Sequence, residues 1–292
     1  METSPVPLTR LLREADHYMD INRYEEARKR YLEILSQQPT NGYVHYRLAH
    51  CSYRIGEYEE AITHCQTAIN HGYAKPMCYV VLGITYRVQK RVALAEEAFR
   101  EGLEAEPTNP NLMAQLAFLH WQQGNKREAR KLIEEAHALG PADQVVLYYK
   151  YFMSSRRGRH SEAPELVQQY LQTNATEIQK KLLIAKDLVR AGQFLKARDE
   201  CREAFVMDPL NHTVLKQLAE MDQLCHPIFW PNRMFILVGR RKIEVVVYVL
   251  IVLGIVYNDL YALSLPLTAL FVWAKCAPWL YAGFIRLQRG RK

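Results

Sequence analysis

The sequence predicts an all-α chain: a solenoid of six stacked helical hairpins closed by a capping helix, followed by a hydrophobic transmembrane or membrane-inserted helical hairpin. Three observations predict it. Ala27, Ala61, Ala95, Ala129, Ala163 and Ala197 recur every 34 residues without an insertion. Small, turn-forming and proline positions keep step with them, as a repeated supersecondary unit requires. After residue 227 the chain turns from charge-balanced to apolar and basic.

Each repeat reads as two helices. Twelve residues before each alanine stand Ala15, Ala49, Gly83, Ala117, Tyr151 and Ala185, small in five of six, and small residues let paired helices approach closely. Five before stand Asn22, Gly56, Lys90, Gly124, Gly158 and Gly192, the turn between the helices. Four after stand Tyr31, Phe99, Ile133 and Val167 in four of the copies, filling the space beside the small contact. Twelve after stand Pro39, Tyr73, Pro107, Pro141, Ala175 and Pro209, where proline stops the second helix. A lone hairpin would leave an apolar face wet, and stacking neighbours buries it. The fifth copy departs most, with Lys150-Tyr151 in place of a Leu-small pair and Pro164 directly after the key alanine. Beyond the sixth copy, Val214, Leu215, Leu218, Met221, Leu224 and Cys225 form an apolar stripe on a capping helix over 212–225.

Stretches such as Gly56-Glu57-Tyr58-Glu59-Glu60-Ala61 and Glu106-Pro107-Thr108-Asn109-Pro110 resemble the tetratricopeptide repeat family closely. The likeness covers about residues 8–211. It implies a right-handed solenoid whose first helices line a concave groove for proteins or peptides; it does not name the ligand. By that resemblance the groove comprises Tyr46, His50, Tyr53 and Arg54; Val80, Ile84, Arg87 and Val88; Ala114, Phe118, Trp121 and Gln122; and Tyr148, Phe152, Ser155 and Arg156. The set is aromatic and basic without an acid, suited to a peptide with apolar anchors and acidic residues. Tyr53 and Trp121 also suit packing within the array. The Lys/Asn cluster with which some members hold a terminal carboxylate is missing: Leu12, Asp16, Arg47, His50, Val81 and Ile84 stand there instead.

Charge separates the two regions. Residues 1–227 carry 29 Lys+Arg against 29 Asp+Glu, and residues 228–292 carry 9 against 2. Basic residues flanking apolar segments point to anionic lipid rather than nucleic acid, so no nucleic-acid partner is expected. Cys51, Cys65, Cys78, Cys201, Cys225 and Cys276 show no C-x-x-C pair and read as small core residues in a reducing compartment. Residues 1–10 hold no apolar stretch, so no cleavable secretory signal is expected. No H-E-x-x-H, Gly-rich phosphate loop or G-x-S-x-G occurs, so neither enzyme chemistry, nor metal, nor cofactor is expected.

In the tail, Ile228-Phe229-Trp230 and the apolar stretch 234–238 suit a lipid interface. Two uncharged or nearly uncharged arms follow, 243–257 with Glu244 and 260–274 ending before Lys275, joined at Asn258-Asp259. Fifteen helical residues span roughly 22 Å against a hydrocarbon core of about 30 Å. A turn at Asn258-Asp259 sets Glu244 and Lys275 at similar depth, with 277–286 lying on the surface. A turn at 264–266 gives longer spans but leaves Lys275 near mid-membrane, where a partner helix must shield it. Glu244, Asp259 and Lys275 are the polar groups of this hairpin. Positive charge at both ends places solenoid and C-terminus together in the cytoplasm, with a bacterial inner membrane as the expected host and an organelle surface as the alternative. The sequence thus predicts a membrane-anchored adaptor binding a protein or peptide, or else a subunit of a membrane complex whose hairpin packs on partner helices.

Overall fold

The computed structural model describes residues 7–73, 75–155, 162–238, 269, 272–278 and 280–281. Among them the chain is all-helical. The hairpins are α1 (Leu8–Asp20) with α2 (Tyr24–Gln37), α3 (Gly42–Ile55) with α4 (Tyr58–Asn70), and α5 (Pro76–Val88) with α6 (Val92–Ala105). They continue as α7 (Pro110–Gln123) with α8 (Lys126–Leu139), α9 (Gln144–Ser155) with α10 (Ala163–Leu171), and α11 (Glu177–Arg190) with α12 (Phe194–Met207). Then come α13 (His212–Cys225), a 3-10 turn (Pro227–Phe229) and α14 (Trp230–Val238). Two compact units result, Met1–Asn174 and Ala175–Lys292. The division falls inside the array rather than near residue 226, grouping the sixth hairpin and α13 with the tail.

All six register alanines are fully buried at 0% exposure, so the 34-residue spacing is a spacing of helix contacts. Their partners twelve residues earlier are buried too, including Tyr151 in the divergent fifth copy. Tyr31 and Phe99 pack beside them at 0% exposure, each burial contributing about 2–3 kcal/mol. At the turns, Asn22, Gly56, Lys90, Gly124 and Gly192 all adopt positive φ, between 59° and 100°. Glycine does so without strain, whereas Asn22 and Lys90 carry a steric cost.

A second signal punctuates the next hairpin. Fourteen residues after the alanine, Asn41, Asn109, Asp143 and Asn211 accept hydrogen bonds from backbone N–H groups at the start of α3, α7, α9 and α13. Thr176 and Gln179 form a reciprocal capping box on α11. In the fifth copy Pro164 sits in the first turn of α10, a permitted place for proline, and that helix runs only nine residues.

In the second unit α13 packs on α12 through the buried Val214 and caps the hairpin. The tail root is tied to it. Arg233 donates to the carbonyl oxygens of Leu224 (2.6 Å), Cys225 and His226 (3.3 Å), satisfying the open C-terminus of α13. The helical residues 272–278 return to this root. Trp273 Nε1 donates to the Ile228 carbonyl (2.9 Å), Asn232 donates to the Ala274 carbonyl (3.2 Å), and Tyr281 lies edge-on to His226 and Phe229. Glu244, Asp259 and both proposed turns of the hairpin lie outside the described residues; Lys275 lies within them and is exposed. Among the described residues, no helix is long and apolar enough to cross a membrane.

Candidate partner-binding groove

Within the first unit, successive first helices touch one another, α3 with α5, α5 with α7 and α7 with α9, whereas successive second helices do not pack comparably. The first helices therefore form the tighter, inner layer. The residues expected to line the groove stand on these first helices.

At its centre is Arg87, half-buried on α5. Its guanidinium lies over the Phe118 ring at 4.8 Å to the centroid. Nη2 donates a long 3.5 Å hydrogen bond to the Tyr149 hydroxyl, which donates at 3.0 Å to Gln115 Oε1. Nε is buried without a partner. Phe118 is sandwiched, stacking on Tyr149 at 4.4 Å between centroids and meeting Phe152 edge-on at 5.4 Å. Tyr148 meets Tyr149 edge-on. Burial pushes the Tyr53 hydroxyl pKa up while the positive charges of Arg87 and Arg54 oppose the rise.

Toward the first hairpin, Tyr46 stacks on Tyr73 at 5.6 Å, and burial lifts its pKa to about 12. His50 is half-buried, with Nδ1 lacking a hydrogen-bond partner; burial, then Arg54 and Arg47, lower its pKa to about 4, so it is neutral at pH 7. Arg54 is exposed and lies over the Tyr24 ring. Ile84 packs partly buried against the core. Arg47 is neutralised: Nη2 pairs with Asp16 and Nε donates to the Tyr31 hydroxyl, both at 2.8 Å, and Tyr31 donates to Asp16 at 2.5 Å. Where a carboxylate-holding cluster would need free cations, this chain supplies its own acid.

Two expected groove residues are placed otherwise. Trp121 is only 9% exposed and belongs to the core with Ala129 and Ile133, because its bulk fills the wedge between α7 and α8. Ala114 is fully buried. Arg156 lies outside the described residues. Conversely, Tyr149 and Gln115 hold Arg87 in place and were not expected. Both stand fourteen residues before a register alanine, and that repeated offset is the signal that could have found them. The face carries aromatic rings, a neutral imidazole and arginines without acid partners. Among the described residues it offers no acid–base pair, and no cluster of His, Cys, Asp or Glu could hold a metal ion.

Tetratricopeptide repeat models match residues 12–76 and 89–148. The chain is 28% identical over 131 residues, 44% of its length, to bacteriophage adsorption protein A of Escherichia coli K12. It is 30% identical over 108 residues, 37% of its length, to tetratricopeptide repeat protein 21B of mouse. It spans only 13% and 8% of those proteins. Among solved structures, a tetratricopeptide repeat protein from Parabacteroides merdae superposes with a TM-score of 0.59 at 16% identity, covering 75% of this chain and 86% of that one. Cut9–Hcn1, an APC/C hetero-tetramer, gives a TM-score of 0.56 at 17% identity, covering 73% of this chain and 42% of that one. These likenesses show the fold alone.

Proposed function

We propose, for a chain that carries tetratricopeptide repeats and has the fold of a protein-interaction scaffold, that it is a membrane-anchored adaptor capturing a segment of a partner protein in the groove of α3, α5, α7 and α9. The observation that carries this reading is the inner face itself: Tyr46, Phe118 and Phe152 leave ring surface partly open. Around them Arg54 and Arg87 lack any carboxylate within ion-pair distance among the described residues. Rings supply contact area at small entropic cost, and an unpaired guanidinium awaits an acceptor. The sequence carries no H-E-x-x-H, Gly-rich phosphate loop or G-x-S-x-G, and we propose a binding protein rather than an enzyme.

The anchor rests on the tail. Its apolar stretches are bracketed by Arg240-Arg241-Lys242 on one side and by Arg286, Arg289, Arg291 and Lys292 on the other. The chain segments 226–233 and 272–281 meet, so the stretch between them begins and ends at one place, as an inserted hairpin would require. Exposed Trp230 and Trp273 at that root suit the headgroup level, and the flanking cations suit a cytoplasmic leaflet. Anchoring would raise the local concentration of groove and partner. The same exposed tryptophans favour a second reading, in which the root packs on partner helices as a subunit of a membrane complex.

The test is to express the full chain, extract membranes with alkaline carbonate, solubilise in mild detergent and identify what co-purifies. Retention in the membrane pellet with a co-purifying protein that is lost on Phe118→Ala and Phe152→Ala supports the adaptor. Release into the carbonate supernatant removes the anchor, and co-purification indifferent to those substitutions moves the contact to the tail.

A further inference from the structure

We infer that the groove contains a carboxylate subsite at Arg87, which receives the side chain of an internal aspartate or glutamate of the bound segment, flanked there by apolar residues. This rests on the groove reading above and names the chemistry of its ligand.

Other arginines of the first unit have answered their charge within the fold. Arg28 pairs with Glu57 at 2.8 Å, Arg47 with Asp16 at 2.8 Å, and Arg91 with Glu59 at 3.5 Å. Arg87 has not. Of its five N–H groups one makes a 3.5 Å contact with a neutral hydroxyl, and Nε is enclosed without an acceptor. A half-buried cation left this short of acceptors is costly unless something else supplies them. Its position is nonetheless fixed. Phe118 supports the guanidinium face, and Tyr149, itself held by Gln115 and stacked on Phe118, fixes its edge. A carboxylate seated there accepts from the Arg87 Nη groups, in surroundings whose apolar rings strengthen charge-assisted bonds.

The occupant is a side chain rather than a chain terminus because the apolar surface continues on both sides of Arg87. Tyr46, on α3, lies toward the first hairpin, Ile84 stands one turn from Arg87 on α5 itself, and Phe118 and Phe152, on α7 and α9, lie toward the fifth. A terminus would leave half of that surface uncovered, whereas a through-running segment covers it and sets apolar residues beside its acid.

The experiment is selection of a displayed random twelve-residue library, with free C-termini, on the full chain in mild detergent, in parallel with Arg87→Gln. The expected result is enrichment of an internal Asp or Glu between apolar residues on the natural chain, and loss of the acid preference with retention of the apolar one on Arg87→Gln. The best selected peptide, remade with Gln for its acid, should bind the natural chain about 10- to 100-fold more weakly, as a lost charge-assisted hydrogen bond dictates, with no change toward Arg87→Gln. That peptide-side substitution reads the subsite even if Arg87→Gln folds poorly. Apolar peptides without an acid, an acid only at the C-terminus, or equal binding of the Gln peptide would overturn the subsite while leaving the groove reading intact. No enrichment at all would overturn both.

Discussion

The Phe99 ring occupies the space that any side chain at position 83 would need: a Cβ on Gly83 would lie 2.3 Å from Phe99 Cε1 and 2.7 Å from Cζ. Phe99 is fully buried, and its ring cannot swing into solvent. Gly83→Ala gains about 1 kcal/mol of helix propensity but must displace that ring, so a net loss of about 1–2 kcal/mol is expected in chemical denaturation. Adding Phe99→Leu should make the double variant more stable than the sum of the single changes predicts. Strict additivity would mean that the contact does not limit the approach of α5 to α6.

Lys90 holds φ at 63°, and nothing about an exposed lysine rewards that conformation. Lys90→Gly should stabilise the array by about 0.5–1 kcal/mol, while Gly124→Ala, at φ 91°, should destabilise it by about 1–2 kcal/mol. Thermal midpoints moving in opposite directions would confirm the pair, and a lower midpoint for Lys90→Gly would refute it.

Acid should weaken the first unit before its carboxylates titrate. His64 Nδ1 faces His45 Nδ1 at 3.1 Å, and burial, then His45 and Arg28, lower the His64 pKa from 6.5 to about 4. His50 is lowered to the same value. Both are neutral in the folded chain and take up a proton on unfolding below pH 6.5. Their stabilisation is therefore complete above that pH and declines as pH falls toward 4. Each should contribute on the order of 2–3 kcal/mol to that decline. His64→Gln should flatten the stability profile between pH 6.5 and 4, and an unchanged slope would place the acid sensitivity elsewhere.

Asp16 joins α1 to α3 through Arg47 and Tyr31, all three mutually hydrogen-bonded. Asp16→Ala leaves Arg47, with a side chain 19% exposed, without its carboxylate, and about 1–2 kcal/mol should be lost from the first hairpin. Hydrogen exchange should rise in α1 and α2 ahead of α5 and α6, because a solenoid opens from the repeat whose neighbour contact is cut. Uniform exchange across the array would instead show that the triad acts globally.

Arg233 should behave as the peg of the tail root. Arg233→Ala uncovers three carbonyl oxygens at the end of α13. Limited proteolysis should then cut sooner near residues 226–230, with α11 to α13 still protected. Unaltered cleavage would mean that Trp273 and Tyr281 hold the root without it.

The solenoid was legible because its physics is local and repeated. One buried alanine per 34 residues marks the contact between two helices, and a positive φ marks the turn in the five described hairpin turns, even where Lys90 departs from the preferred residue type. The stripe of first-helix side chains was legible, but not how those side chains pack. Trp121 shares its helical face with Phe118 but turns under it, and only three-dimensional packing decides which of two neighbouring aromatics is wedge and which is surface. Tyr149 meets Arg87 across 62 residues, from α9 to α5. No periodicity within one helix reports a hydrogen bond between hairpins two apart. The grouping of the sixth hairpin with the tail was equally beyond periodicity, since the alanine register runs through residue 174 without a break.

That register has a consequence for how the protein can change length. Every contact alanine is sealed at 0% exposure, and adding one residue within a helix would rotate all that follows by about 100°, replacing alanine at the seam with a larger or charged neighbour. The array is therefore quantised. It can gain or lose whole hairpins, each bringing its own seam, but single-residue insertions can be absorbed only in the connections between helices.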